Sequence, residues 1–345
     1  MSQETISWVN GKIKIIDQTR LPGQLQYMTC CDVKSLWKAI RRLSVRGAPA
    51  LGVAAGFGVL LGIKDFRGAD RKKFVRHVKR TCDYISTSRP TAVNLFHVLD
   101  AMRDVCVRFP EESVPRLKKR LKEKAFAVYE EDKKVCRAMG DHGARLIKTG
   151  DRLLTVCNAG ALATVDYGTA LGVFYSAKKD GKKFKVYACE TRPLLQGARL
   201  TTWELLRAGI NTTLICDAMA AVLMRQKRID AVFTGADRIA ANGDAANKIG
   251  TYNLAVLARY HKIPFYVVAP CSTFDRSLPS GKHIPIEERN PDEVRGFAGR
   301  ATAPRGVKVF NPAFDVTDQK LITAIVTEKG IVKKPFSKNI PKIFS

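Results

Sequence analysis

Leu153-Leu154-Thr155-Val156-Cys157-Asn158-Ala159-Gly160 is a short apolar run that stops abruptly at a thiol, an amide and a glycine. The design returns four times downstream: KVYAC before Glu190-Thr191-Arg192, TTLIC before Asp217, AVFTG before Ala236-Asp237-Arg238, and PFYVVA before Pro270. Between these runs lie segments of helical period, near residues 161–177, 193–208, 218–228 and 244–260. Strands alternating with amphipathic helices build right-handed βαβ units, and hence a Rossmann-like, doubly wound parallel sheet. Ligands of such sheets bind beyond the carboxyl ends of the strands, so Cys157, Glu190, Asp217 and Asp237 are the first places to look for function.

Upstream of this region the rhythm changes. ISWVNGKIKII alternates at period two on both sides of Asn10-Gly11, the strongest short hairpin signal, and predicts a small N-terminal β-hairpin. From Asp32 to about Lys148 the spacing predicts helices near 33–43, from Pro49, near 70–86, from Pro90 to Val107, and a long charged one over 112–147. The expected organisation is a mostly helical N-terminal domain over residues 1–149, a Rossmann-like domain over 150–333, and a frayed basic tail over 334–345. Gly150 marks the break as a helix C-cap. After Ser272 come loops rich in proline and charge, with a further strand expected at VKVFN, Val307 to Asn311.

Composition narrows the class. With 345 residues, 46% hydrophobic and 26% charged, the chain is an ordinary globular protein with room for two cores. Nine cysteines, odd in number and without a Cys-x-x-Cys pair, read as reduced thiols in a cytoplasmic protein rather than a disulfide framework or a zinc site. The first residues lack the pattern of a secretory signal. The most apolar stretch, 47–63, is shorter than the roughly 20 residues a bilayer requires and holds five glycines and a proline, which predicts a buried helix and no membrane span. The balance of 59 Lys+Arg against 32 Asp+Glu gives a net charge of +27. The basic residues fall mostly on solvated helix faces and in the tail, no nucleic-acid-binding motif accompanies them, and a nucleic-acid partner is not expected.

Several residue groups have chemistry as well as position. In Arg46-Gly47-Ala48-Pro49, proline suits the first turn of a helix, so the spacing fits either a phosphate cradle, in which the backbone N–H groups of Gly47 and Ala48 converge with the Arg46 fork, or a plain helix start whose Arg46 pairs with a surface carboxylate. Arg89-Pro90 repeats the arrangement before a second helix. Cys157, at a strand end and before a helix, is placed for proton transfer or nucleophilic work, whereas Cys189 and Cys216 read as buried filler. Asp237, beside Gly235 and among apolar residues, suits a general acid; the alternative is an Asp that caps the next helix or pairs with Arg238, and Asp244 is the better candidate for that cap. Asn247 and Lys248, expected early in that helix, suit sugar hydroxyls or a phosphate. Neither a Gly-x-Gly-x-x-Gly after the first strand nor a Walker A loop is present, and no histidine cluster suggests a metal. A cofactor-free reaction of a phosphorylated small molecule is the expectation.

At these residues the chain resembles the 5-methylthioribose-1-phosphate isomerases, members of a superfamily that includes subunits of translation initiation factor 2B. The resemblance rests on Arg46-Gly47-Ala48-Pro49-Ala50, Arg89-Pro90-Thr91-Ala92-Val93-Asn94-Leu95, Cys157 through Thr164, Glu190-Thr191-Arg192-Pro193, Gln196-Gly197-Ala198-Arg199-Leu200-Thr201, and Gly235 through Thr251, and it spans roughly residues 8–333. It implies an aldose–ketose isomerisation of a sugar 1-phosphate in methionine salvage, with Cys157 and Asp237 catalytic and Arg46, Gly47, Ala48, Arg89, Gln196, Asn247 and Lys248 binding substrate. It also implies a homodimer and no cofactor. An isomerase of ribose 1,5-bisphosphate or 5-deoxyribose 1-phosphate, and a non-catalytic regulatory subunit of the initiation-factor type, are the alternatives.

Overall fold

Asn10 and Gly11 turn the chain at φ 49° and 74°, and the expected hairpin forms between β1 (Ile6–Val9) and β2 (Lys12–Ile16). Positive φ at both positions matches the right-handed twist of the flanking strands. A third strand, β3 (Tyr27–Cys30), pairs antiparallel with β2. The computed structural model describes residues 4–90, 92–297 and 299–344. Five helices follow the hairpin: α1 (Val33–Arg41), α2 (Ala48–Ile63), α3 (Arg71–Ser86), α4 (Val93–Arg108) and α5 (Val114–Ala144). The apolar stretch is α2, buried on all sides. Its glycines let neighbours approach: a Cβ on Gly52 would touch Asn94 and Val98 of α4, and one on Gly56 would touch Ala125 of α5. No helix among the described residues is long and apolar enough to cross a membrane.

The chain divides into two compact units, Met1–Cys136 with Ala161–Gly168, and Arg137–Gly160 with Thr169–Ser345. The break therefore falls within α5 rather than at Gly150, and a short segment following Cys157 belongs with the first unit. In the first unit Leu36, Phe57, Phe74, Leu99 and Leu121 share one core.

In the second unit the five expected strands form as β4 (Arg152–Thr155), β5 (Lys185–Cys189), β6 (Asn211–Ile215), β7 (Ala231–Thr234) and, after a hairpin, β10 (Phe265–Val268). Helices α6 (Ala170–Lys179), α7 (Thr202–Arg207), α8 (Ala220–Arg225) and α9 (Thr251–Tyr260) alternate with them. The hairpin is β8 (Arg238–Ala240) and β9 (Ala245–Lys248). The remaining elements are β11 (Phe274–Asp275), α10 (Asp292–Arg295), β12 (Gly296–Phe297), β13 (Arg300–Ala301), β14 (Phe314–Thr317), β15 (Ala324–Thr327), β16 (Gly330–Lys333) and α11 (Phe336–Asn339). The main sheet runs β16-β15-β10-β7-β4-β5-β6, parallel except for β16. A smaller sheet runs β11-β8-β9-β14. The mixed, mostly parallel sheet with helices agrees with the expected Rossmann-like architecture.

Five local expectations fail. The segment 244–260 is not one helix: residues 238–248 form the β8–β9 hairpin, turned at Asn242-Gly243 with Gly243 at φ 93°, and the helix begins only at Thr251. Alanine-rich Ala245-Ala246 has helical propensity, but pairing with β14 and β8 overrides it. The segment 161–177 is likewise interrupted, a 3-10 turn at Ala161–Ala163 being separated from α6 by a bend at Gly168, φ 88°. Helix α4 starts at Val93, not Pro90. The strand expected at 307–311 lies instead at Phe314–Thr317, where it pairs with β9; Phe310 is 80% exposed. The basic tail is not frayed where it is described: Phe336 and Ile340, one helical turn apart, are buried in the core of the second unit.

Candidate active site

The two residues expected to carry chemistry lie at the same edge of one sheet. β4 and β7 are hydrogen-bonded neighbours, with Leu153 opposite Ala231 and Leu154 opposite Val232. Cys157 follows the end of β4, and Asp237 follows the end of β7. Gly235 is what lets the two loops meet, because a Cβ there would stand 3.0 Å from the Ala159 Cβ and 3.4 Å from the Thr169 hydroxyl. Adjacent parallel strands are about 4.8 Å apart, so their carboxyl ends present side chains to one another's ligand space.

Cys157 is half-buried and sits at φ 63°, a left-handed conformation unusual for a residue with a side chain. Its N–H donates to the Thr191 hydroxyl at 2.8 Å, and its carbonyl accepts from the Thr201 hydroxyl at 2.6 Å. The amide of buried Asn158 donates to Glu204 at 2.7 Å and to Thr201 at 3.2 Å. The expectation that Cys157 opens directly into a helix is corrected, since α6 begins only at Ala170 and these side chains position the loop instead. The filler reading holds for Cys189, which is buried and whose thiol burial holds in the neutral form, but Cys216 is exposed, just past β6.

Asp237 is also half-buried, and its N–H donates to the Ala246 carbonyl of β9 at 2.9 Å, which docks the strand end onto the hairpin. Asp244 does not cap a helix. Its carboxylate accepts the N–H groups of Gly281 and Gln319 and the amide of Asn242, tying three loops together. Asn247 and Lys248 stand on β9, not in a helix, so successive side chains point to opposite faces. Asn247 donates to the Thr251 hydroxyl at 3.0 Å. Lys248 donates to the Ala313 carbonyl at 2.8 Å, lies 4.4 Å from the centre of the Phe314 ring, and shares a small cavity with Gln196. The Gln196 side-chain oxygen is buried and has no hydrogen-bond partner among the described residues, an arrangement suited to a ligand hydroxyl. Near Lys248, burial pushes the Asp315 carboxyl up to about 6 against the opposing pull of the Tyr252 and Gly250 N–H groups. Larger cavities, of about 750 and 630 Å³, are lined by none of the expected site residues.

Of the strand-end acids flagged first, Asp217 proves structural, accepting the N–H groups of Thr191 and Arg192, each at 2.8 Å.

The first unit carries the other expected set. Gly47 caps α2 at φ 95° and ψ 135°, with Ala48 and Pro49 in the first turn as the sequence predicts. It packs against the backbone of Ala163, which belongs to the same unit. Arg46 Nε donates to Gln18 at 3.1 Å, and Gln18 in turn donates to the Leu162 carbonyl at 2.7 Å, so the segment beneath the cradle is held from two sides. Arg89 is half-buried, and its carbonyl accepts from Ala92 at the entry to α4. Thr191, Thr201 and Glu204 were not singled out from sequence. The one signal available was Gly160, which faces the Glu204 carboxylate and leaves no space for a side chain.

A helical unit and a doubly wound unit whose neighbouring strands end at Cys157 and Asp237 define an α/β protein. The model of the initiation factor 2 subunit family matches residues 44–334, and the chain belongs to that family. It is 52% identical to the 5-deoxyribose 1-phosphate isomerase of Moorella thermoacetica, over 99% of this chain and 97% of that protein. It is equally 52% identical to the methylthioribose-1-phosphate isomerase of Desulforamulus reducens, over 98% of each. Among solved structures it is similar to 5-methylthioribose 1-phosphate isomerase from Pyrococcus horikoshii OT3, with a TM-score of 0.93 and 43% identity over 99% of this chain and 95% of that one. It is also similar to translation initiation factor eIF-2B subunit delta from A. fulgidus, with a TM-score of 0.88 and 45% identity over 99% of both chains.

Proposed function

We propose that this protein interconverts 5-methylthioribose 1-phosphate and 5-methylthioribulose 1-phosphate, an aldose–ketose isomerisation of methionine salvage. The observation that carries the reading is the placement of Cys157 and Asp237 at the ends of neighbouring strands, in a chain half identical along its length to isomerases of 5-substituted ribose 1-phosphates. The reaction reduces C1 and oxidises C2 within one molecule, so it consumes no external oxidant or cofactor. Phosphate on the anomeric oxygen blocks spontaneous ring opening, and an acid must first protonate the ring oxygen. Asp237 is that acid. Cys157 then either carries the C2 proton to C1 through an enediolate-like intermediate or stabilises charge while hydride passes directly between the carbons. Arg46, Gly47, Ala48, Arg89, Gln196, Asn247 and Lys248 bind the substrate, with the backbone cradle and cations taking the phosphate. The working protein is a cytoplasmic homodimer.

A second reading, 5-deoxyribose 1-phosphate as substrate, is favoured by the relative of equal identity that bears that name. The two sugars differ only at C5. Incubating pure protein separately with 5-methylthioribose 1-phosphate, 5-deoxyribose 1-phosphate and ribose 1,5-bisphosphate, and following the ketose by NMR, tests both. Ketose from the methylthio sugar at the highest kcat/KM is the expected result. A higher value for the deoxy sugar transfers the assignment to it, and no ketose from any of the three leaves a non-catalytic subunit.

A further inference from the structure

We propose that Thr191 and Thr201 are positioning residues that clamp Cys157 in its left-handed conformation, with Glu204 anchoring the clamp through Asn158. The inference rests on the reading of Cys157 as a participant in the reaction. Cys157 has two backbone polar groups, and each is satisfied by a hydroxyl from a different part of the second unit: the N–H by Thr191, beyond the end of β5, and the carbonyl by Thr201, at the start of α7. A left-handed residue bearing a side chain persists only where its surroundings over-determine it, and sharp turns of this kind at strand ends expose a reactive side chain above a sheet.

Each clamp is itself held. The Thr191 hydroxyl donates to the Cys189 carbonyl at 3.1 Å, and its N–H donates to Asp217, so the ends of β4, β5 and β6 are tied in series. On the other side, Thr201 accepts from Asn158, Asn158 donates to Glu204, and Glu204 also accepts from the Tyr175 hydroxyl at 2.9 Å. Glu204 is 6% exposed and is braced against Gly160, three residues beyond the thiol. The donor and acceptor roles are mutually consistent, since each threonine hydroxyl gives its one proton to a carbonyl and takes one from nitrogen. A hydroxyl lost from either threonine removes that hydrogen bond to the Cys157 backbone and loosens φ at the thiol. Neither threonine touches the reacting atoms in this account. They act through the place where the Cys157 side chain leaves the backbone.

The test uses Thr201→Val and Thr191→Val, which keep shape and remove the hydroxyl, with Thr201→Ser as the conservative control. Two readouts are taken on the whole chain: steady-state kinetics with 5-methylthioribose 1-phosphate, and the rate of Cys157 carbamidomethylation by iodoacetamide, followed at its own peptide by mass spectrometry from pH 6 to 10. Misplacing a reacting group by about 1 Å costs on the order of 100-fold, so we expect each valine variant to lose about 10–100-fold in kcat with KM changed less than about threefold. The Cys157 alkylation profile should move with it, and Thr201→Ser should restore both. Thr191→Val, on a separate loop, decides the matter should Thr201→Val fail to fold. Folded valine variants with wild-type kcat and an unchanged alkylation profile overturn the clamp. Cys157→Ser, run in parallel, separates the two claims: undiminished turnover in that variant removes the catalytic reading, whereas the alkylation profile judges the clamp by itself.

Discussion

Replacing Gly47 by alanine should damage the first unit more than any comparable change at a glycine in open space. Gly47 stands at φ 95° and ψ 135°, close to a region reserved for glycine, and a Cβ there would run into the carbonyl oxygen, Cα and Cβ of Ala163. Two of those three atoms are backbone and have no rotamer by which to escape. Backbone strain of this kind costs about 1–3 kcal/mol and forced overpacking about another 1–3, so Gly47→Ala should lose about 2–6 kcal/mol. Urea unfolding followed by tryptophan fluorescence suits the measurement, because Trp8 and Trp37 lie in the first unit and Trp8 packs on Phe57 with ring centres 5.5 Å apart. With a slope near 2 kcal/mol per molar urea, the midpoint should fall by about 1–3 M. Gly150→Ala provides the control: φ is 97° but nothing lies within 4 Å of the added methyl, so it contributes strain without collision and should cost less. A Gly47→Ala midpoint within about 0.5 M of wild type, or no lower than that of Gly150→Ala, refutes the reasoning, because Ala163 would then be free to move aside.

Lys248→Met should raise KM for the sugar phosphate about 10–100-fold, the loss of one charge-assisted hydrogen bond to phosphate, while kcat falls less; an unchanged KM removes Lys248 from the binding set. Burial, with Asp166 adding repulsion and the Val165 N–H opposing, pushes the Asp132 carboxyl up to about 7. Its folded value lies above its unfolded one, so its contribution to stability is fully present below about pH 4 and is lost as pH rises through 7. Urea midpoints of Asp132→Asn should therefore decline less than those of wild type between pH 4 and 8, and parallel declines contradict the assignment.

The fold was legible where pattern and packing agree. Runs such as Leu153–Val156 and Phe265–Val268 are buried strands because sheet and helices cover both faces, and Asn10-Gly11 can turn only one way. Legibility ended where pairing partners are distant in sequence. Ala245–Lys248 reads as helix locally and becomes a strand because Phe314–Thr317 pairs with it, some seventy residues away. Both catalytic candidates were readable from their place at strand ends, since that place follows from topology. Thr191, Thr201 and Glu204 were not, because hydrogen bonds between side chains and the backbone of a left-handed residue leave no periodicity to read.

The proposed isomerisation requires a thiol and a carboxyl at neighbouring strand ends to act on one substrate. Turnover of 5-methylthioribose 1-phosphate by Cys157→Ser and by Asp237→Asn, each shown by circular dichroism to be folded, tests that most directly. General acid–base and nucleophilic groups contribute about 10²–10⁴-fold, so each variant should lose at least about 100-fold in kcat. Turnover within about threefold of wild type in either variant would contradict the claim for that residue.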